Sequence, residues 1–279
     1  MPIRSPLRWP AAAFDSLIRA PLAEADRAAG PGVPNDAHAN RRMMIVMIST
    51  ALCLTCIQYL SRDTGWIVRS VHDLGLTAAS DALQAAILDP VCGVLWQRTI
   101  WVAVLVVFYA VVPALVSRLL LRQTLRDQGV TLRGVTKGLP VYAALFAVMV
   151  PVAVVMSGNP HFLATYPMCG PLDPAHAWHL LLWWEAIYFV QFGALEYFFR
   201  GFMVHGAKAR LGGAAVFVMV VPYTMIHFAK PMPECVAAVV AGIVLGCLSL
   251  KTKSIWPGVA LHCGVAATMD IAAICRHGW

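Results

Sequence analysis

A series of apolar runs, each long enough to cross a hydrocarbon core of about 30 Å, constrains this chain more than any other feature. Residues 139–157 contain no charged side chain. Similar runs cover 43–60, 99–117, 214–228, 235–250 and 255–273, and another begins near Ala177 and continues through Arg200. Backbone groups in lipid have no water to bond, so only helices and closed barrels span it. Continuous apolar runs of this length, without strict alternation, predict helices. The expected fold is all-α, a polytopic transmembrane bundle of about seven spans. A weaker apolar segment within 75–96 is broken by Asp81, Asp89 and Pro90. It reads as interfacial, with an eighth span as the alternative.

Only 13% of the residues are charged, against about 25% in soluble domains. The net charge of +7 lacks the basic stripe with interleaved aromatics that a nucleic-acid binder needs, so no nucleic-acid partner is expected. Positive residues instead mark cytoplasmic loops. Arg4, Arg8, Arg19, Arg27, Arg41 and Arg42 precede the first span. Arg118, Arg122, Arg126, Arg133 and Lys137 follow the second, Lys208 and Arg210 the fourth, and Lys251 and Lys253 the sixth. Residues 158–176 have neither Lys nor Arg. The loop 61–98, with Arg62, Arg69 and Arg98, fits least well. An integral membrane protein with a cytoplasmic N-terminus follows, and the lipid bilayer is its first partner.

The chain divides into a tail at 1–42, membrane spans and loops at 43–175, and a membrane core at 176–279. In the tail, Leu7, Trp9, Phe14, Leu17 and Ile18 alternate with Arg4, Arg8 and Arg19. That mixture reads either as an amphipathic helix on the inner leaflet or as a disordered tail. The CxxC formed by Cys53 and Cys56 lies in an apolar helix with no βαβ context, which favours packing over redox chemistry. Cys92 and Cys169 fall in external loops, where an oxidising compartment allows pairing.

The membrane core carries ionisable residues where they are costly, and such residues usually face an interior or a cavity. The chain has four glutamates, Glu24, Glu185, Glu196 and Glu234, and three lie in 177–270. Glu185 reads as interfacial near the outer side, and Glu234 as a helix-start acid favoured by the dipole. Glu196 and Arg200 share a helix face at i,i+4. Tyr223 and His227 have the same spacing, with Pro222 just before them. Gly212-Gly213 marks a turn, sixteen residues past Glu196 and fourteen before His227. An antiparallel hairpin therefore sets the two at similar depth. His262, nine residues past Lys253, lies roughly 14 Å into the membrane at about 1.5 Å per residue. All three can share one layer.

Several chemistries are absent from the sequence. There is no HExxH and no Gly-x-Ser-x-Gly, and Asp270 is the only Asp within the seven spans. What remains is a carboxylate and two imidazoles. A carboxylate desolvated by apolar surroundings can act as general base on water near neutral pH. Imidazoles can hold that water or stabilise an oxyanion. A metal held by two His and one Glu is chemically conceivable. The Glu196–Arg200 spacing alone serves a structural ion pair equally well.

Glu196-Tyr-Phe-Phe-Arg200-Gly201 resembles the EExxxR motif of the CPBP family of CAAX proteases and bacteriocin-processing enzymes. Tyr223-x-x-x-His227 resembles its FxxxH motif with Tyr for Phe, and His262 matches the first position of its HxxxN/B motif. The resemblance covers about 177–273. It implies an intramembrane endopeptidase of glutamate type, in the inner membrane of a bacterium, acting on a membrane-associated protein or peptide. Glu196, His227 and His262 are then catalytic, Arg200 and Tyr223 supporting, and no metal or cofactor is expected. Two positions depart from the pattern. Leu195 stands for the first motif glutamate and Ala266 for the usual Asn, with Asp270 as a replacement polar partner. These departures support an alternative, a non-catalytic immunity or scaffold protein on the same fold.

Overall fold

The structure, a computed structural model, describes residues 8–30, 36–170 and 177–277. All regular structure among them is helical. Among the described residues, five helices are long and apolar enough to cross a membrane: Ala37–Leu60, Gly93–Leu121, Val135–Met156, Met232–Thr252 and Trp256–His277. Two further helices complete an all-α bundle of about seven spans. One is Ala177–Glu196, which runs on through a π-helical stretch, Tyr197–His205, into Gly206–Leu211. The other is the shorter apolar helix Ala214–Met225.

Two expectations change in detail. The candidate eighth span is an 11-residue helix, Thr77–Ile87, about 16 Å long and too short to cross. The fifth run was expected to stay helical to Phe228, but its helix ends at Met225. Pro222 contributes no N–H, and bonds of the i→i+3 type tighten the end, including His227 N to Thr224 O at 3.0 Å. His227 therefore sits in the turn after the helix.

The chain divides into two compact units. The first comprises Met1–Thr50, Pro113–Tyr142 and Glu196–Gly258. Its centre is the Tyr197–His205 stretch, every residue of which is buried. Ala214–Met225 and Met232–Thr252 pack against each other and against that stretch. Gly242 and Gly246 make the close approach possible, because a Cβ on Gly246 would lie 2.7 Å from Val216. Small residues four apart let apolar helices meet at backbone distance.

The N-terminal segment belongs to this unit. It is helical over Arg8–Phe14, Asp15–Arg19 and Ala20–Ala29, and it packs on Gly206–Leu211 and Met232–Thr252. Pro21 and Ala25 are buried against this unit, whereas Phe14 of the apolar stripe is exposed. Arg4 and Leu7, which shared in the amphipathic reading, lie outside the described residues. Asp26 Oδ1 accepts from Gly213 N at 2.7 Å. That amide opens the Ala214–Met225 helix, which has no side-chain cap of its own, so a distant carboxylate satisfies an orphan donor.

The second unit comprises Ala51–Val112, Ala143–Leu195 and Val259–Trp279. Gly65–Asp73 and Thr77–Ile87 pack as a hairpin, the latter also against Gly93–Val106. Leu95, Cys169, Leu180, Trp184, Tyr188 and Ala266 form a core cluster within it. Cys92 and Cys169 are both free thiols. The Cys92 thiol donates to Asp89, and Cys169 is fully buried.

Candidate active site

Glu196 ends an α-helix and Arg200 lies one turn on, in the π-helical stretch. Wide π turns recur at functional positions within helices. Both side chains are buried, at 1% and 0% exposure, and Arg200 Nη1 stands 2.9 Å from Glu196 Oε1. The guanidinium carbon lies 4.1 Å over the Tyr223 ring, a cation–π contact strengthened by desolvation. Tyr223 in turn meets His227 edge to face at 5.0 Å, and His227 Nδ1 is 2.8 Å from Tyr223 O. The first unit thus gathers Glu196, Arg200, Tyr223 and His227 into one run of contacts.

Three neighbours to which the sequence assigned no role shape this run. Gly201 lets the loop after the second span approach, since its Cβ would lie 2.9 Å from Gln128 O. Tyr197 OH donates to Gln128 Oε1 at 2.6 Å, fixing that loop. The Cys235 thiol donates to His227 O at 2.7 Å and ties down the turn that carries the imidazole. Tyr197 and Gly201 lie within the Glu196–Gly201 motif, whereas Cys235 gave no sequence signal.

Gly258 is closer still. A Cβ there would lie 2.5 Å from Glu196 Oε2. Gly258 sits in the first turn of Trp256–His277, where a helix favours negative charge. We expect Gly258→Ala to displace the Glu196 carboxylate from Arg200 and to destabilise the fold by about 1–3 kcal/mol, the usual range for overpacking. Thermal unfolding in detergent measures this, and an unchanged midpoint contradicts the packing described.

His262 and Asp270 belong to the second unit. The His262 ring stacks on Phe192 at 5.3 Å and 9°. Phe192 continues a column at i,i+4 spacing, with Tyr188 at 4.4 Å and then Trp184 at 4.5 Å from Tyr188. Asp270 is fully buried. It accepts from Trp184 Nε1 at 2.7 Å and from Met168 N at 3.3 Å, so the far end of the column is pinned. Ala266, at the position of the motif Asn, packs in the apolar cluster around Trp184. Leu195 is buried as well, at 5% exposure. Glu185 is half-buried. Both of its carboxylate oxygens are shielded and lack a hydrogen-bond partner among the described residues. Glu234 stands in the first helical turn of its span as expected, 3.7 Å from Lys230.

These features define an all-α integral membrane protein with a buried charged pair in its first unit. Its segment 177–268 matches the family model described as type II CAAX prenyl endopeptidase, Rce1-like. The match spans the C-terminal third of the chain, and the family is one of CAAX-protease-type membrane endopeptidases. No curated protein and no solved structure matches the chain.

Proposed function

We propose that this protein is an intramembrane endopeptidase that cleaves a membrane-associated protein or peptide with water activated by Glu196. The observation that carries this reading is the buried Glu196–Arg200–Tyr223–His227 run. Glu196 takes a proton from water, and the water oxygen attacks the scissile carbonyl carbon. His262 donates an N–H group to the developing oxyanion, and His227, whose Nδ1–H is held by Tyr223 O, does so through Nε2 in its doubly protonated form. The proton held by Glu196 passes to the leaving nitrogen as the C–N bond breaks. Arg200 orients the carboxylate, Tyr223 carries Arg200 on its ring face, and Asp270 steadies the His262 helix. The matched family description points to a prenylated CaaX tail as substrate. The protein then works in the bacterial inner membrane with its N-terminus in the cytoplasm.

Purified protein in liposomes, given a prenylated CaaX peptide, should release the tripeptide. Activity is expected to survive extensive chelation. A catalytic zinc usually takes three protein ligands and an open position, and Glu196 cannot serve as both ligand and free base. The Arg200 guanidinium 2.9 Å from its carboxylate also repels a cation. Loss on chelation, restored by zinc alone, would make Glu196 a ligand and overturn the assignment.

A specific observation favours a second reading. Leu195 and Ala266, where the motif has Glu and Asn, are both buried among apolar groups, and Glu196 is already engaged by Arg200. On that reading the protein is a non-catalytic immunity or scaffold protein. Wild-type chain inert towards the peptide, with cleavage appearing in Leu195→Glu, supports the second reading over the first.

A further inference from the structure

Arg62, Arg69 and Arg98 are the cations that fit the loop-charge asymmetry least well, and the proposed chemistry does not use them. Arg69 Nη2 stands 3.5 Å from Asp63 Oδ2, and Asp63 Oδ1 also accepts from Gly65 N at 2.7 Å. Arg62 and Arg98 instead line one cleft of about 330 Å³. Among the described residues neither has an ion pair. The same cleft presents Ser61, Thr64 and Gln97 as polar groups, with Val94 and Trp101 on its apolar side. Its only acid, Asp63, already serves Arg69 and Gly65.

Position narrows the ligand. Ser61–Thr64 directly follow the Ala37–Leu60 span, and Val94–Trp101 open the Gly93–Leu121 span. The cleft therefore lies where membrane helices end. Trp66, whose indole donates to Leu60 O at 2.8 Å, and Trp101 supply the aromatic residues typical of the headgroup level. Two guanidinium groups lining one cleft repel each other unless an anion joins them. Arginine's fork of donors matches phosphate oxygens two at a time. The volume is at the low end for ligand pockets and suits a headgroup rather than a whole lipid.

We propose that this cleft binds a phosphate group, that of an anionic phospholipid, with Arg62 and Arg98 on its oxygens and the acyl chains leaving past Val94 and Trp101. The site is independent of the proteolytic reading. Full-length protein in detergent is mixed with equal phosphatidylglycerol and phosphatidylcholine and examined by native mass spectrometry. Wild type should retain phosphatidylglycerol about tenfold more than phosphatidylcholine, the ratio expected of one charge-assisted contact. Arg62→Gln/Arg98→Gln should lose that preference while melting like wild type in phosphatidylcholine nanodiscs. Inorganic phosphate supplies the second arm. If it raises the melting temperature of wild type but not of the variant, and no lipid preference is seen, the site takes soluble phosphate. Equal retention of both lipids with no effect of phosphate overturns the proposal, and the wild-type spectra decide this even if the double variant does not fold. A lipid preference that persists in a folded double variant overturns it too.

Discussion

Arg200→Ala should destabilise the protein by about 3–5 kcal/mol, the usual loss when one partner of a buried ion pair is removed. Arg200 is fully buried, its guanidinium 2.9 Å from a carboxylate that is 1% exposed and 4.1 Å above Tyr223. Truncation leaves Glu196 charged with no counter-ion, or forces its protonation. The pair as a whole is a different matter. Exchanging both members for apolar side chains of similar volume is often neutral or stabilising, so Glu196→Leu/Arg200→Met should fold at least as well as wild type. Unfolding midpoints in detergent test both statements. An Arg200→Ala protein as stable as wild type would mean that the pair is solvated in the membrane.

The second large effect concerns the imidazoles. His227→Ala and His262→Ala should each lower cleavage of a prenylated CaaX peptide about 100-fold or more, the scale of losing an oxyanion donor, with the folded protein still in the membrane. The two are held by unrelated means. His227 rests in a turn fixed by Tyr223 and the Cys235 thiol, whereas His262 stacks on the column that begins at Trp184. Neither ring is part of the Arg200 ion pair, so these variants separate chemistry from stability in a way that Arg200 variants cannot. Full activity in His262→Ala would remove it from the catalytic set.

Much of this was legible in the sequence because the bilayer leaves few options. An apolar run near 20 residues long has to be a helix, and each of the seven runs contains one. The i,i+4 spacing of Glu196 and Arg200 was enough to predict their pairing. Other features had no local signature. The π-helical stretch Tyr197–His205 differs from an α-helix in which carbonyl each amide chooses, and apolar composition does not encode that choice. The early end of Ala214–Met225 placed His227 in a turn, although its spacing from Tyr223 looked helical. The cap on Gly213 comes from Asp26, 187 residues earlier, and no short-range pattern links them. The spacing of Trp184, Tyr188 and Phe192 was visible in the sequence, but not the distant imidazole at the end of their column.

The central claim is that Glu196 is the base of a membrane endopeptidase. Gln has nearly the shape of Glu and keeps an acceptor facing Arg200, but it cannot take a proton from water. The most direct measurement is therefore release of the tripeptide from a prenylated CaaX peptide by proteoliposomes holding wild type or Glu196→Gln, with folded protein quantified in both. The account predicts cleavage by wild type and a loss of about 100-fold or more in Glu196→Gln. Equal cleavage by both proteins would contradict it.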